Sequence, residues 1–199
     1  MSTARFHSTP LSVQDYLRGE ADARQKHEYV DGVAYAMAGA NNAHNTIATN
    51  ATVSVGAQLR GNACRVFNSD TKVRIRSAHG TRFYYPDAMI ACRLNPPDDT
   101  FQDAPVVIIE VISEATRRTD EHEKRQAYLS IDSLCAYIRV EQSLPQAVVD
   151  RRTDEGFITE GYAGLDAQIA LPEIRCEITL SDLYEDIAFV SERTDDATR

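Results

Sequence analysis

The chain has 199 residues, 43% hydrophobic and 26% charged, with a formal net charge of −9. That length fits one domain, with room for a small appended subdomain, and buries enough core to need no staples; the composition excludes a wholly disordered chain. The acidic balance argues against a protein that coats nucleic acid nonspecifically, because phosphate binding rests on Lys and Arg. It does not exclude an enzyme acting on nucleic acid, since a local basic strip can coexist with an acidic body.

Thr9-Pro10 followed by Leu11 to Ala23 reads as a capped first helix with Leu11, Tyr16 and Leu17 on its apolar face. His27 to Met37 reads as a strand pair turning at Asp31-Gly32, a strong hairpin signal. Asn41-Asn42 then caps a second helix running to about Arg60. Ile47, Ala51, Val55 and Leu59 recur every four residues on one face, His44 sits at the N-terminal end of that stripe, and Gly61 is the stop. A β-rich block follows: Cys64 to Asp70, Thr71 to Ser77 and Arg82 to Cys92, with a turn at His79-Gly80. After the loop Asn95 to Asp99, Pro105 opens Val106-Val107-Ile108-Ile109-Glu110-Val111-Ile112, an apolar run that suits a strand buried on both faces in a sheet centre. A helix is predicted over Glu121 to Ser130, starting near Arg118. Strands follow at Cys135 to Gln142, Gln146 to Thr153 and Phe157 to Ala163, and Thr179 to Tyr184 resembles a short capped helix. The order predicts a mixed sheet with helices, hence α/β or α+β. We expect one domain over residues 10–188, with flexible ends at 1–9 and 189–199.

No apolar run approaches the roughly 20 residues a membrane helix needs, and the first residues contain no stretch like a signal peptide. The expected location is the cytoplasm. Cys64, Cys92, Cys135 and Cys176 form no close pair, which argues against zinc, and they read as reduced, buried cysteines.

Glu110 is the most unusual residue. A carboxylate inside such a strand is costly unless paired, protonated or metal-bound, although an acid at the sheet end facing water fits the run equally well. Asp87 follows Tyr84-Tyr85-Pro86 and enters the apolar run Ala88 to Ala91; alone it reads as a turn or cap residue. Together, adjacent strands would converge the two acids, and close carboxylates need a cation or a shared proton between them. Hard oxygen donors of this kind suit Mg²⁺ or Mn²⁺, which activates water and stabilises a phosphodiester transition state. Asp120, Lys124 and Tyr128 are spaced i, i+4, i+8 on one helix face, so Lys124 can lie over the same site; an ordinary surface ion pair beside a core tyrosine also explains that spacing. Glu28, at a strand start, is a possible third carboxylate or a plain solvent-facing residue. His44 is a possible acid/base or phosphate contact, or a satisfied helix-end histidine.

Several ordered motifs resemble the Uma-type family of restriction endonucleases: His27 to Gly39, Asn42-Ala-His-Asn, Val66 to Arg74, Phe83 to Ala88, Val107 to Ser113, the Asp120, Lys124, Tyr128 pattern and Leu180 to Tyr184. The likeness covers roughly residues 10 to 185. It implies a restriction-endonuclease-like α/β fold, a mixed β-sheet core flanked by helices, similar to the PD-(D/E)XK nuclease superfamily. By that resemblance Asp87 and Glu110 are catalytic acids and metal ligands, the Val111 carbonyl is a further ligand, and Mg²⁺ or Mn²⁺ is the cofactor. Glu28 and His44 become site residues, DNA the substrate, and a homodimer the expected assembly. Two features depart from the pattern. Ile112 stands where the superfamily has its catalytic Lys, which makes Lys124 the candidate replacement, and Ser113-Glu114-Ala115-Thr116 stands where the family has a Ser-Pro-Ser-Thr-like run. Two other classes remain open: a nuclease-fold binding or regulatory protein without chemistry, and a metal-free two-carboxylate hydrolase of the glycosidase kind. The absence of Trp argues mildly against a sugar groove.

Overall fold

The computed structural model describes residues 10–78, 80–114 and 119–189, with side chains 119–121 excepted. The expected flexible first nine residues, the helix start at Arg118, the side chain of Asp120, the turn residue His79 and the Ala115-Thr116 step lie outside that description.

Helix α1 spans Val13–Ala21 and is capped by Ser12, whose side chain accepts from the Asp15 N–H, so the cap lies three residues after the predicted Thr9. Strands β1 (His27–Val30) and β2 (Val33–Ala36) form the predicted hairpin. Its turn residues Asp31 and Gly32 both take positive φ, +48° and +101°, which is why an Asp-Gly step sits there. Helix α2 (Asn42–Gln58) starts where the Asn41 side chain accepts from the His44 N–H, and Gly61 follows its end in the left-handed region. Its stripe Ile47, Ala51, Val55 and Leu59 is buried.

The β-rich block forms β3 (Arg65–Asn68), β4 (Lys72–Ser77), β5 (Gly80–Tyr84) and β6 (Ala88–Ala91). The run read as a single strand from Arg82 to Cys92 breaks at Tyr85-Pro86-Asp87 and passes from one sheet to another. Proline's missing donor and fixed φ suit that crossing. A two-residue strand, β7 (Phe101–Gln102), precedes the apolar strand β8 (Pro105–Ile112). A π turn over Thr119–Lys124 leads into α3 (Arg125–Leu129), where one regular helix had been expected. Then come β9 (Ala136–Glu141), β10 (Gln146–Thr153), β11 (Gly156–Ala163), β12 (Gln168–Leu171), β13 (Cys176–Thr179) and the short α4 (Leu180–Leu183), capped by Thr179. The β12–β13 pair and β7 carried no signal clear enough to read from the sequence.

One sheet runs β2-β1-β5-β4-β7, a second runs β11-β10-β9-β8-β6-β3, and β12 pairs with β13. The second sheet is mixed: β8 is parallel to β9 and antiparallel to β6. Alternation along β8 gives it two buried faces. Val107, Ile109 and Val111 pack against α2 and α4, while Ile108 packs against α3, β4 and β5. Glu110 shares the Ile108 face, between the two sheets. The architecture is thus a mixed α/β fold with helices on the sheets, as expected.

One expectation about the chain's chemistry changes. Cys64 and Cys92 are joined in a disulfide, not reduced; they flank the β3–β6 pairing, in which Arg65 faces Ala91, so the register itself sets them opposite each other. Cys135 and Cys176 are free thiols. Phe189, placed in the expected flexible end, packs its ring against Tyr184. Among the described residues no helix is long and apolar enough to cross a membrane.

Candidate active site

The end of β8 meets the crossing peptide before β6. Asp87 lies there opposite Glu110, one step beyond the Ala88–Ile109 pair. The Asp87 N–H reaches Glu110 Oε2 at 3.4 Å, and the Val111 N–H donates to Asp87 Oδ2 at 2.7 Å. The Asp87 side chain therefore replaces the ladder partner that β6 no longer supplies. Ile112 accepts through its carbonyl from the Gln142 N–H, on the β9 side, so Val111 turns both its N–H and its carbonyl to the Asp87 side.

From the inter-sheet face, Tyr128 of α3 donates to Glu110 Oε1 at 2.8 Å, and Lys124 Nζ stands 3.7 Å from the same oxygen. Lys124 Nζ also lies 2.9 Å from Glu28 Oε1 on β1, an ion pair, and 5.8 Å from the centre of the Tyr84 ring. The π turn ends at Lys124, and the α3 turn that follows brings Tyr128 round to the same carboxylate; single π turns recur at functional sites. From the opposite face of the sheet, His44 of α2 reaches round the strand end and sets Nε2 3.3 Å from Asp87 Oδ2. Among the described residues its buried Nδ1 has no hydrogen-bond partner.

The five candidate site residues, Glu28, His44, Asp87, Glu110 and Lys124, thus fall into one connected network, with the Val111 main chain inside it. Glu110 and Lys124 are buried, at 3% and 7% exposure, which rules out the plain surface ion pair as the reading of Lys124. Sequence reasoning passed over Tyr128 as a core residue and did not weigh Tyr84, whose hydroxyl donates to Glu123 Oε1 at 3.0 Å. The spacing Lys124–Tyr128 carried the signal for the first; nothing local distinguished the second. Burial, then the charges of Glu110 and Glu28, hold the Tyr128 hydroxyl well above its usual pKa, so it stays a donor. Ile112, two residues beyond Glu110 on the same face, is buried and apolar, and Lys124 approaches Glu110 from the helix instead.

The donor set suits a hard divalent cation. Among the described residues no three His, Cys, Asp or Glu side chains form a complete cage. Two carboxylates at the ends of neighbouring strands and the Val111 carbonyl would make an open oxygen set, and Mg²⁺ in particular keeps several of its waters.

The chain matches the Uma2 family, described as a putative restriction endonuclease, over residues 13–183. An uncharacterized protein of Synechocystis is 28% identical over 181 residues, 90% of this chain and 94% of its own length. A second from the same organism is 28% identical over 135 residues, 66% and 75% of the two chains. A crystal structure of a putative nuclease belonging to DUF820 from Anabaena variabilis superposes with a TM-score of 0.71, covering 88% of this chain and 98% of that one at 15% identity, a likeness of fold. With a match that runs from α1 to α4 and takes in every residue of the network above, the chain belongs to the Uma2 family.

Proposed function

We propose that the protein is a metal-dependent endonuclease that hydrolyses DNA phosphodiester bonds. The observation that carries the reading is the junction of Asp87 and Glu110 at the ends of neighbouring strands, with Lys124 3.7 Å from Glu110 Oε1. Asp87, Glu110 and the Val111 carbonyl would hold Mg²⁺ or Mn²⁺, which supplies an activated water and stabilises charge on the phosphoryl oxygens. Lys124 orients the attacking water and offers its ammonium to the phosphate. Glu28 holds Lys124 in place. His44 holds Asp87 from the α2 side and would serve as an acid/base or a phosphate contact. Glu110 and Lys124 are buried, so their charges act in a setting of low dielectric, while Asp87 and Glu28 are only partly covered.

The test is cleavage of supercoiled plasmid with Mn²⁺ by the parent chain, Asp87→Ala and Glu110→Ala. Cutting is expected from the parent alone, and equal cutting by all three overturns the reading. Mg²⁺ or Mn²⁺ should also raise the parent's melting temperature, an effect lost in both variants. A chain that binds DNA without metal-dependent turnover is the second reading, and the departure at Ile112 is what favours it.

The proposal carries a homodimer and a cytoplasmic location. Light scattering at micromolar concentration tests the first. The second stands against the Cys64–Cys92 bond, since disulfides are rare in a reducing cytosol; thiol counting on chain isolated under alkylating conditions decides between them.

A further inference from the structure

Strand β2 is an edge strand, paired to β1 alone, and all four of its residues are exposed. Two of them are large and apolar: Val33 is 49% and Tyr35 54% exposed. They alternate along the strand, so they share one face. The register identifies that face. Tyr35 lies directly opposite Glu28 and Val33 opposite Val30, and residues directly opposite in an antiparallel pair project to the same side. Glu28 is the residue whose carboxylate meets Lys124. The exposed ring is therefore one cross-strand position from the site, on its side of the sheet.

Three cations on or beside this sheet are engaged in ion pairs, while Arg76 at the far end of β4 is exposed. Lys26 pairs with Asp70 at 2.6 Å, Arg74 with Asp103 at 2.6 Å and Arg82 with Asp31 at 3.2 Å. With a net charge of −9, such a surface grips a phosphate backbone weakly, because that grip depends on free Lys and Arg. The exposed Tyr35 ring offers a second source of affinity. An aromatic face open to water stacks on an unpaired base, whereas bases in a duplex are already stacked on each other.

We infer that Tyr35 is a base-stacking residue at the wall of the site and that the substrate class it selects is single-stranded nucleic acid. The inference rests on the proposed nuclease reading and narrows its substrate. Val33, beside Tyr35 on the same face, extends the apolar wall along the strand.

The experiment uses the full chain with Ca²⁺ in place of Mg²⁺, so that binding is read without cleavage. The probes are a fluorescein-labelled 15-nucleotide single strand and the same sequence as a duplex, read by anisotropy, with a 2-aminopurine strand as a reporter of stacking. Tyr35→Ala should weaken single-strand binding about tenfold or more and abolish the 2-aminopurine quench, while Tyr35→Phe keeps both; duplex binding should change little. Tyr35 is exposed, so Tyr35→Ala is expected to melt where the parent does. If the parent binds the strand and Tyr35→Ala binds it equally well, the stacking inference fails and the nuclease reading stands. If the parent binds neither probe and cuts nothing, the nuclease reading fails and this inference with it. If Tyr35→Ala converts a dimer to monomers with binding per chain unchanged, the face joins two copies of the chain and the inference is overturned.

Discussion

Tyr128 donates its hydroxyl hydrogen to Glu110 Oε1 at 2.8 Å from a position with no solvent exposure. The bond fixes the rotamer of a carboxylate proposed to hold metal, and partners of this kind are worth about 10–100-fold in affinity or activity. Tyr128→Phe keeps the ring's packing against Tyr84 and Tyr137 and removes only the donor. It should lower metal affinity by about that factor and stability by about 1–3 kcal/mol. Because the hydroxyl pKa lies far above neutrality, the parent's cleavage rate should show no Tyr128 titration between pH 6 and 9. A Phe variant with unchanged metal titration would reduce Tyr128 to a packing residue.

Lys124 is the cation between Glu28 and Glu110. Removing one partner of a buried ion pair leaves uncompensated charge and costs about 3–5 kcal/mol. Lys124→Met should therefore lower the metal-free melting temperature, cut no plasmid, and gain more from added Mg²⁺ than the parent does, since the ion then neutralises carboxylates the lysine no longer serves. An equal Mg²⁺ shift in both chains would mean that the two cations occupy unrelated places.

The site was more legible than the path of the chain around it. Glu110 stood out because an acid inside Val106 to Ile112 conflicts with its own strand, and such conflicts concentrate at functional positions. Lys124 and Tyr128 showed as a helical spacing whose two readings only tertiary packing could separate. The switch of sheets at Tyr85-Pro86-Asp87 was illegible, because strand propensity continues on both sides of the proline and the choice of partner strand is made at long range. The Cys64–Cys92 bond was missed for the same reason: a separation of 28 residues says nothing until β3 and β6 are known to pair. The last turn before α3 reads as ordinary helix in sequence, since a π turn uses the same residues.

Asp150 has no exposure and is held by Arg125 through two bonds of 2.7 and 2.8 Å, by Arg139 at 3.0 Å and by Thr159 at 2.7 Å. Burial alone would raise its pKa, but the bonds from Arg125 and Thr159 and the charge of Arg139 outweigh burial and hold the carboxyl below the ordinary Asp value. Asp103 behaves alike: burial pushes it up, and the bonds from Arg74 and Asn95 pull it down further. A carboxyl depressed in the folded state stabilises the fold above its unfolded pKa, about 3.9, and that contribution is lost as pH falls through the lower folded value. The melting temperature should hold from pH 7 to about 5 and fall steeply below 4. Asp150→Asn should start lower at pH 7 and show a shallower acid decline; an identical slope would remove Asp150 from the acid transition.

The disulfide closes a loop of 28 residues between Cys64 and Cys92. Chain-entropy reasoning gives such a loop about 3–4 kcal/mol of stabilisation, by restricting the unfolded chain. Denatured without reductant, the protein should therefore yield two thiols to a colorimetric titration, from Cys135 and Cys176, and four after reduction. Reduction should lower the melting temperature of the parent but not of the Cys64→Ala, Cys92→Ala double variant. Cleavage should survive in both, because the bond joins β3 to β6 and touches none of the site residues on β8, α2 or the Lys124 turn. Loss of cutting on reduction would tie the far end of β6 to the placement of Asp87 at its near end, a coupling through one four-residue strand.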